Sequence, residues 1–150
     1  MYFHYILKFC PAEKEGSVEK EDLLVWIKAF EQGLKRNNQI RLFKYLLGHL
    51  LALSPAGKDG FYPAEAVREA IEIYGDESLE NEYVITTCNM RGVYSPSGGA
   101  EERKIAKKYK DNADAIRIKA PKTAKIFDNL CERYLYEADT ERESEEYAGI

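Results

Sequence analysis

The sequence predicts an α+β fold that is mostly helical: one domain of about five helices, with a small antiparallel sheet and a C-terminal helical hairpin. Three observations carry this expectation. Apolar residues recur at helical spacing over most of the chain after residue 17. Residues 2–9 and 83–94 are instead rich in aromatic and β-branched side chains, as half-buried strands are. Clusters of Pro, Gly, Ser and Asn punctuate the intervals between them. With 150 residues, 45 % of them hydrophobic, the chain is the size of one ordinary domain, and folding at this length buries roughly 68–70 % of the unfolded surface.

Residues 2–9, Tyr-Phe-His-Tyr-Ile-Leu-Lys-Phe, read as a strand closed by Pro11, which has no N–H for a ladder. Ser17 is placed to cap a first helix whose opening turn carries Glu19, Glu21 and Asp22, where the helix dipole favours carboxylates. Leu23, Leu24, Ile27, Phe30 and Leu34 form its apolar stripe, with Trp26 alongside. Asn38 is placed to cap a second helix with a broad stripe of Phe43, Leu46, Leu47, Leu50 and Leu51. After the Ser54–Gly60 loop, Pro63 fits the first turn of a third helix and Gly75 its end. Val67, Ala70, Ile71 and Tyr74 form that helix's inner face. Residues 83–94 read as the second strand, interrupted at Arg91-Gly92 and paired with residues 2–9.

The strand–helix–helix–helix–strand core so defined spans 1–94, and 95–150 forms the hairpin, with Pro121 at the start of its second arm. Residues 105–114 align with 130–139 at an offset of 25, matching Tyr109 to Tyr134 and Ala113 to Ala138, an echo that reads either as two related arms or as a coincidence of two amphipathic helices. The inner faces are then Ile105, Tyr109, Ala113 and Ile116 against Phe127, Leu130, Tyr134 and Ala138.

Composition narrows the function classes. Lys and Arg number 22 against 26 Asp and Glu, a net charge of −4, and aromatics reach 12 % with eleven tyrosines, so the signature of disorder is absent. Three dispersed cysteines, Cys10, Cys88 and Cys131, do not make a secreted disulfide framework. No signal-peptide pattern and no membrane-length apolar run are visible, so the expected compartment is the cytoplasm, with no membrane partner.

Charge is segregated along the chain. Residues 28–44 carry a net +4 and 101–125 a net +5, whereas 65–82 and 126–150 each carry −6. Segregated charge without a catalytic signature leads us to expect a non-enzymatic regulator or inhibitor that binds another protein through charged helical surfaces. The expected partner is a basic nucleic-acid-binding enzyme, as for small acidic phage-encoded anti-defence or anti-CRISPR antagonists, a comparison of type and not of motif. The acidic surface expected to bind it comprises Glu65, Glu69, Glu72, Glu77 and Glu80, together with the tail after Glu137; exposed Tyr136, Tyr147 and Trp26 are further interface candidates.

Two other readings stand beside this one. A nucleic-acid-binding regulator would use the basic stretch Arg103, Lys104, Lys107, Lys108 and Lys110. The order of elements from the second helix to residue 94 is that of a winged helix-turn-helix, but the helix after Pro63 offers Arg68 against Glu65, Glu69 and Glu72, which repel phosphates. A small enzyme or nucleotide-binding protein would use the Ser97–Gly99 loop, in the run Ser95-Pro-Ser-Gly-Gly99 before a helix, or Cys88. That run matches neither phosphate-loop spacing, and Glu101 and Glu102 compete for its amides. His4 and His49, the only histidines, lack metal-ligand spacing. Hence no catalytic residue, metal or cofactor is assigned, and His49 is read as a hydrogen-bonded, partly buried residue of the second helix.

Overall fold

A computed structural model of the chain describes residues 19–149. Among the described residues there are six α-helices and one short 3-10 turn, and no strand. The expected α+β class is therefore corrected to all-helical. Residues 2–9 lie outside the described residues, and their supposed partner, 83–94, is helix as far as Asn89 and irregular chain beyond it. The chain divides into two compact units, residues 1–87 and 88–150.

In the first unit, α1 (Lys20–Arg36) buries Leu23, Ile27, Phe30 and Leu34 of the stripe read from the sequence, while its fifth member, Leu24, is half-buried. Its end is set by Asn37, whose side chain donates to the Gly33 carbonyl at 2.8 Å, and by Asn38, which turns the chain at φ +57°, a left-handed value that Asn tolerates. Asn38 thus ends α1 instead of capping the next helix. A 3-10 turn (Ile40–Leu42) leads into α2 (Phe43–Ala52), which buries Phe43, Leu47, Leu50 and Leu51. Each fully buried leucine here contributes roughly 1.5–3 kcal/mol by leaving water. Phe30 stacks on Trp26 and meets Phe43, which in turn meets Tyr74 edge-on.

The loop before α3 (Glu65–Tyr74) is tied down by Ser54, whose hydroxyl accepts the Ala64 N–H at 3.1 Å, and by Asp59, which accepts from Phe61 N–H and from the buried Arg68 guanidinium. Pro63 lies just before this helix, not inside its first turn, and Ala64 is the N-cap. Asp76 then caps α4 (Glu77–Asn89), accepting the Leu79 N–H at 3.0 Å, while Lys44 bridges the Tyr74 carbonyl and the Asp76 carboxylate.

The Val84-Ile85-Thr86-Thr87 run is strand-like in composition, yet burial at Leu79, Glu82, Tyr83 and Thr86 follows helical spacing. Two of these inward positions are polar. An apolar periodicity is consequently missing, and β propensity alone misreads the segment. Where α4 crosses α2, Gly48 is in close contact: a Cβ built there collides with the Leu79 carbonyl oxygen.

In the second unit, α5 (Ala100–Ile116) and α6 (Pro121–Ala148) form an antiparallel hairpin. Pro121 occupies the first turn of α6, where its missing N–H costs nothing. Ala106, Ala113, Ala124 and Ala138 are buried, so the helices approach closely, and Tyr109 packs on Phe127 and on Tyr134 with ring centroids 5.7 Å apart. The tyrosines matched by the 25-residue echo therefore touch each other. At the closed end, Arg117 makes paired contacts with Asp128, at 2.7 and 3.0 Å, and a further one with Asp114 at 2.8 Å.

Candidate functional site

The acidic positions of the first unit lie on two helices. Glu65, Glu69 and Glu72 follow one another on α3, but Glu69 pairs with Lys20 at 2.7 Å and Glu65 lies 3.8 Å from Arg68. The hydrogen bond and charge of Glu69 hold the Lys20 ammonium above its usual pKa. Glu72 is also engaged within the chain. On α4, Glu77 is exposed, whereas Glu80 is only 7 % exposed and contributes little to an open surface. Much of the expected acidic surface on these helices is thus neutralised locally or buried.

The basic positions are neutralised in the same way. Lys107 pairs with Asp111 at 2.6 Å, Lys110 with Asp114 and Asp128, and Lys104 approaches Glu101 at 3.9 Å. Arg103 donates to the Gly99 carbonyl at 3.2 Å, and Lys108 is engaged too. Arg117 and Lys110 together keep the Asp114 carboxyl below its usual range. Solvent screens exposed pairs of this kind, so they add little to stability. Their effect here is to cancel charge.

The outward face of α6 differs. Its buried stripe, Phe127, Leu130, Tyr134 and Ala138, leaves Glu132, Tyr136, Asp139, Glu143 and Tyr147 on the opposite side, all exposed. Among the described residues Glu132, Asp139 and Glu143 have no cationic partner, while Tyr136 and Tyr147 are 74 % and 79 % exposed. The last turns of α6 add Glu145 and Glu146, the latter 3.9 Å from Arg142. The uncompensated carboxylates of α6 thus run along one helix face, from Glu132 through Asp139 to Glu143.

The Ser95–Gly99 loop, a candidate anion cradle in the sequence, is filled by the chain's own carboxylate. Glu141 Oε2 accepts the Ser97 N–H at 3.2 Å and the Gly99 N–H at 2.5 Å. Ser97 Oγ accepts the Glu101 N–H at 3.0 Å, capping α5. Gly99, at φ +82°, is packed so tightly on the Ala138 carbonyl that a Cβ would collide with it.

Beside this loop, Arg91 pairs with Glu102, which is 1 % exposed, and its guanidinium lies 3.4 Å over the Tyr94 ring. Burial pushes the Glu102 carboxyl upward, but the Arg91 hydrogen bond and charge outweigh it and hold the group below its usual value. Arg91 Nη1 is buried without a hydrogen bond among the described residues and sits 3.8 Å from Glu137. Neither sequence pattern nor charge count singled out this ion pair.

Reactive side chains are few. Burial raises the Cys88 thiol above its ordinary pKa, which disfavours the thiolate a nucleophile needs. Cys131 is raised for the same reason, next to a recess of about 400 Å³ lined by Lys110, Arg117, Asp128 and Glu132, whose cations are already paired. His49 Nδ1 lies 3.0 Å from the Thr86 hydroxyl. His4 and Cys10 fall outside the described residues. Among the described residues no group of three or more His, Cys, Asp or Glu side chains is arranged to hold a metal ion, and no helix is long and apolar enough to cross a membrane. No family model, curated protein or solved structure matches the chain.

Proposed function

We propose that the protein is a non-catalytic binding protein that docks on a basic surface of another protein, and that the outward face of α6 makes the contact. A basic nucleic-acid-binding enzyme is the partner class that suits it. One observation carries this reading: Glu132, Asp139 and Glu143 stand exposed without counter-ions, flanked by Tyr136 and Tyr147, while the lysines and arginines of α5 are engaged within the chain. Exposed tyrosines beside uncompensated carboxylates supply hot-spot area together with electrostatic steering. The occupied amides at Ser97 and Gly99, and the paired lysines of α5, lend less support to nucleotide or nucleic-acid binding.

The test is binding to a panel of basic nucleases by biolayer interferometry across a salt series. Affinity that falls with salt, and is lost in the triple variant Glu132→Lys, Asp139→Lys, Glu143→Lys, is the expected result. Unchanged binding in that variant, or binding of an oligonucleotide instead, would end the reading.

A further inference from the structure

A relay of three side chains joins α2 to α4 inside the first unit, and it lies apart from the acidic face of α6. Glu82, 7 % exposed, accepts the Thr86 hydroxyl proton at 3.1 Å. With its proton committed, the Thr86 oxygen is an acceptor for His49 Nδ1, 3.0 Å away. The second carboxylate contact, His49 Nδ1 to Glu82 Oε1 at 3.6 Å, favours the same arrangement. The relay therefore fixes the Nδ1–H tautomer and leaves the lone pair on Nε2, which has no partner among the described residues.

The His49 side chain is 45 % exposed. Tyr45, one turn earlier on α2, and Ile85, next to Thr86 on α4, are exposed as well, at 49 % and 45 %. The imidazole is thus accessible from outside the unit, one helical turn from the exposed Tyr45, where another protein can seat a reactive group against it. Burying a carboxylate to orient a surface histidine has a cost that packing alone does not explain, since an apolar pair would fill the crossing more cheaply.

We propose that His49 is a phosphoryl acceptor, modified at Nε2 by the acyl phosphate of a donor protein. The Nε2 lone pair attacks phosphorus, the bond from phosphorus to the acyl oxygen breaks, and the donor carboxylate leaves with that electron pair. No proton is lost from the ring. Nδ1 keeps its hydrogen, and the positive charge gained by the imidazole is balanced by Glu82 through Thr86.

Acetyl phosphate serves as the small-molecule probe, with 31P NMR and peptide mapping as readouts. The expected product is an acid-labile, alkali-stable phosphate on His49, formed faster than on N-acetylhistidine, absent in His49→Gln, and formed roughly tenfold more slowly in Thr86→Val, the low end of what losing an orienting partner costs. Thr86→Val is nearly isosteric, and its circular dichroism and melting curve report whether it folds; long-range 1H–15N NMR of the wild-type ring reads the tautomer independently. Labelling no faster than on N-acetylhistidine, an equal rate in folded Thr86→Val, or an Nε2–H tautomer would each overturn the proposal.

Discussion

At the residue scale, the ion pair between Arg91 and Glu102 outweighs every surface contact described above. Glu102 is almost fully buried and its carboxyl is held low despite that burial, so removing Arg91 leaves an uncompensated charge. Arg91→Met is expected to cost about 3–5 kcal/mol near neutral pH, read by urea denaturation. The sign of its pH dependence follows from linkage. A carboxylate with a lowered folded pKa stabilises the protein above its unfolded value, near 4.5, and this contribution is lost as the pH falls through the lower folded value. The deficit of the variant should therefore narrow in acid, because protonated Glu102 needs no counter-ion. A deficit constant from pH 7 to pH 3 would show that packing against Tyr94, not charge, is what Arg91 supplies. Neither partner was legible in the sequence. They are eleven residues apart, one in a turn and one in the first turn of a helix, and no local rule joins such positions.

At the element scale, α4 shows why the expected sheet failed. Its strand-like composition is outvoted by a good cap at Asp76 and by burial at helical spacing, but three of the buried positions, Glu80, Glu82 and Thr86, are polar, so the pattern that reveals α1 is absent. Positive 13Cα secondary shifts from Glu77 to Asn89 are the expected outcome; strand-like shifts over 83–89 would contradict the fold. The crossing of α4 with α2 can be probed at Gly48. Replacing a mid-helix glycine by alanine gains about 1 kcal/mol of helix propensity, whereas forcing a methyl group against the Leu79 carbonyl costs about 1–3 kcal/mol. The steric term wins, so Gly48→Ala should lower the midpoint of thermal unfolding. A rise would place the two helices farther apart than described. The inner faces of α1 and of the hairpin were readable because their core positions are nearly all apolar; of the expected hairpin residues, Ile105 and Tyr109 are half-buried and the rest are buried.

At the scale of the whole molecule, the blocks of like charge seen along the sequence do not translate directly into faces. The basic block 101–125 is largely cancelled by acids one helical turn away or on α6, and the acidic block 65–82 is partly buried or paired. Only three-dimensional placement distinguishes a neutralised block from an open one, which is why net charge along the chain pointed to both α3 and the tail of α6. Two sets of substitutions separate these cases. Converting Lys104, Lys107 and Lys108 to Gln should change stability by no more than about 1 kcal/mol and leave salt-dependent protein binding intact. Converting Glu132, Asp139 and Glu143 to Gln should abolish that binding with equally little effect on folding, as measured by calorimetry and interferometry on the same samples.

Glu141 has a wider bearing on how glycine-rich turns are understood. A side chain tethered on the neighbouring helix competes at an effective concentration that a freely diffusing oxyanion at millimolar levels does not match. Inorganic phosphate in the buffer should accordingly leave the melting temperature unmoved, because the Ser97 and Gly99 amides already have their oxyanion.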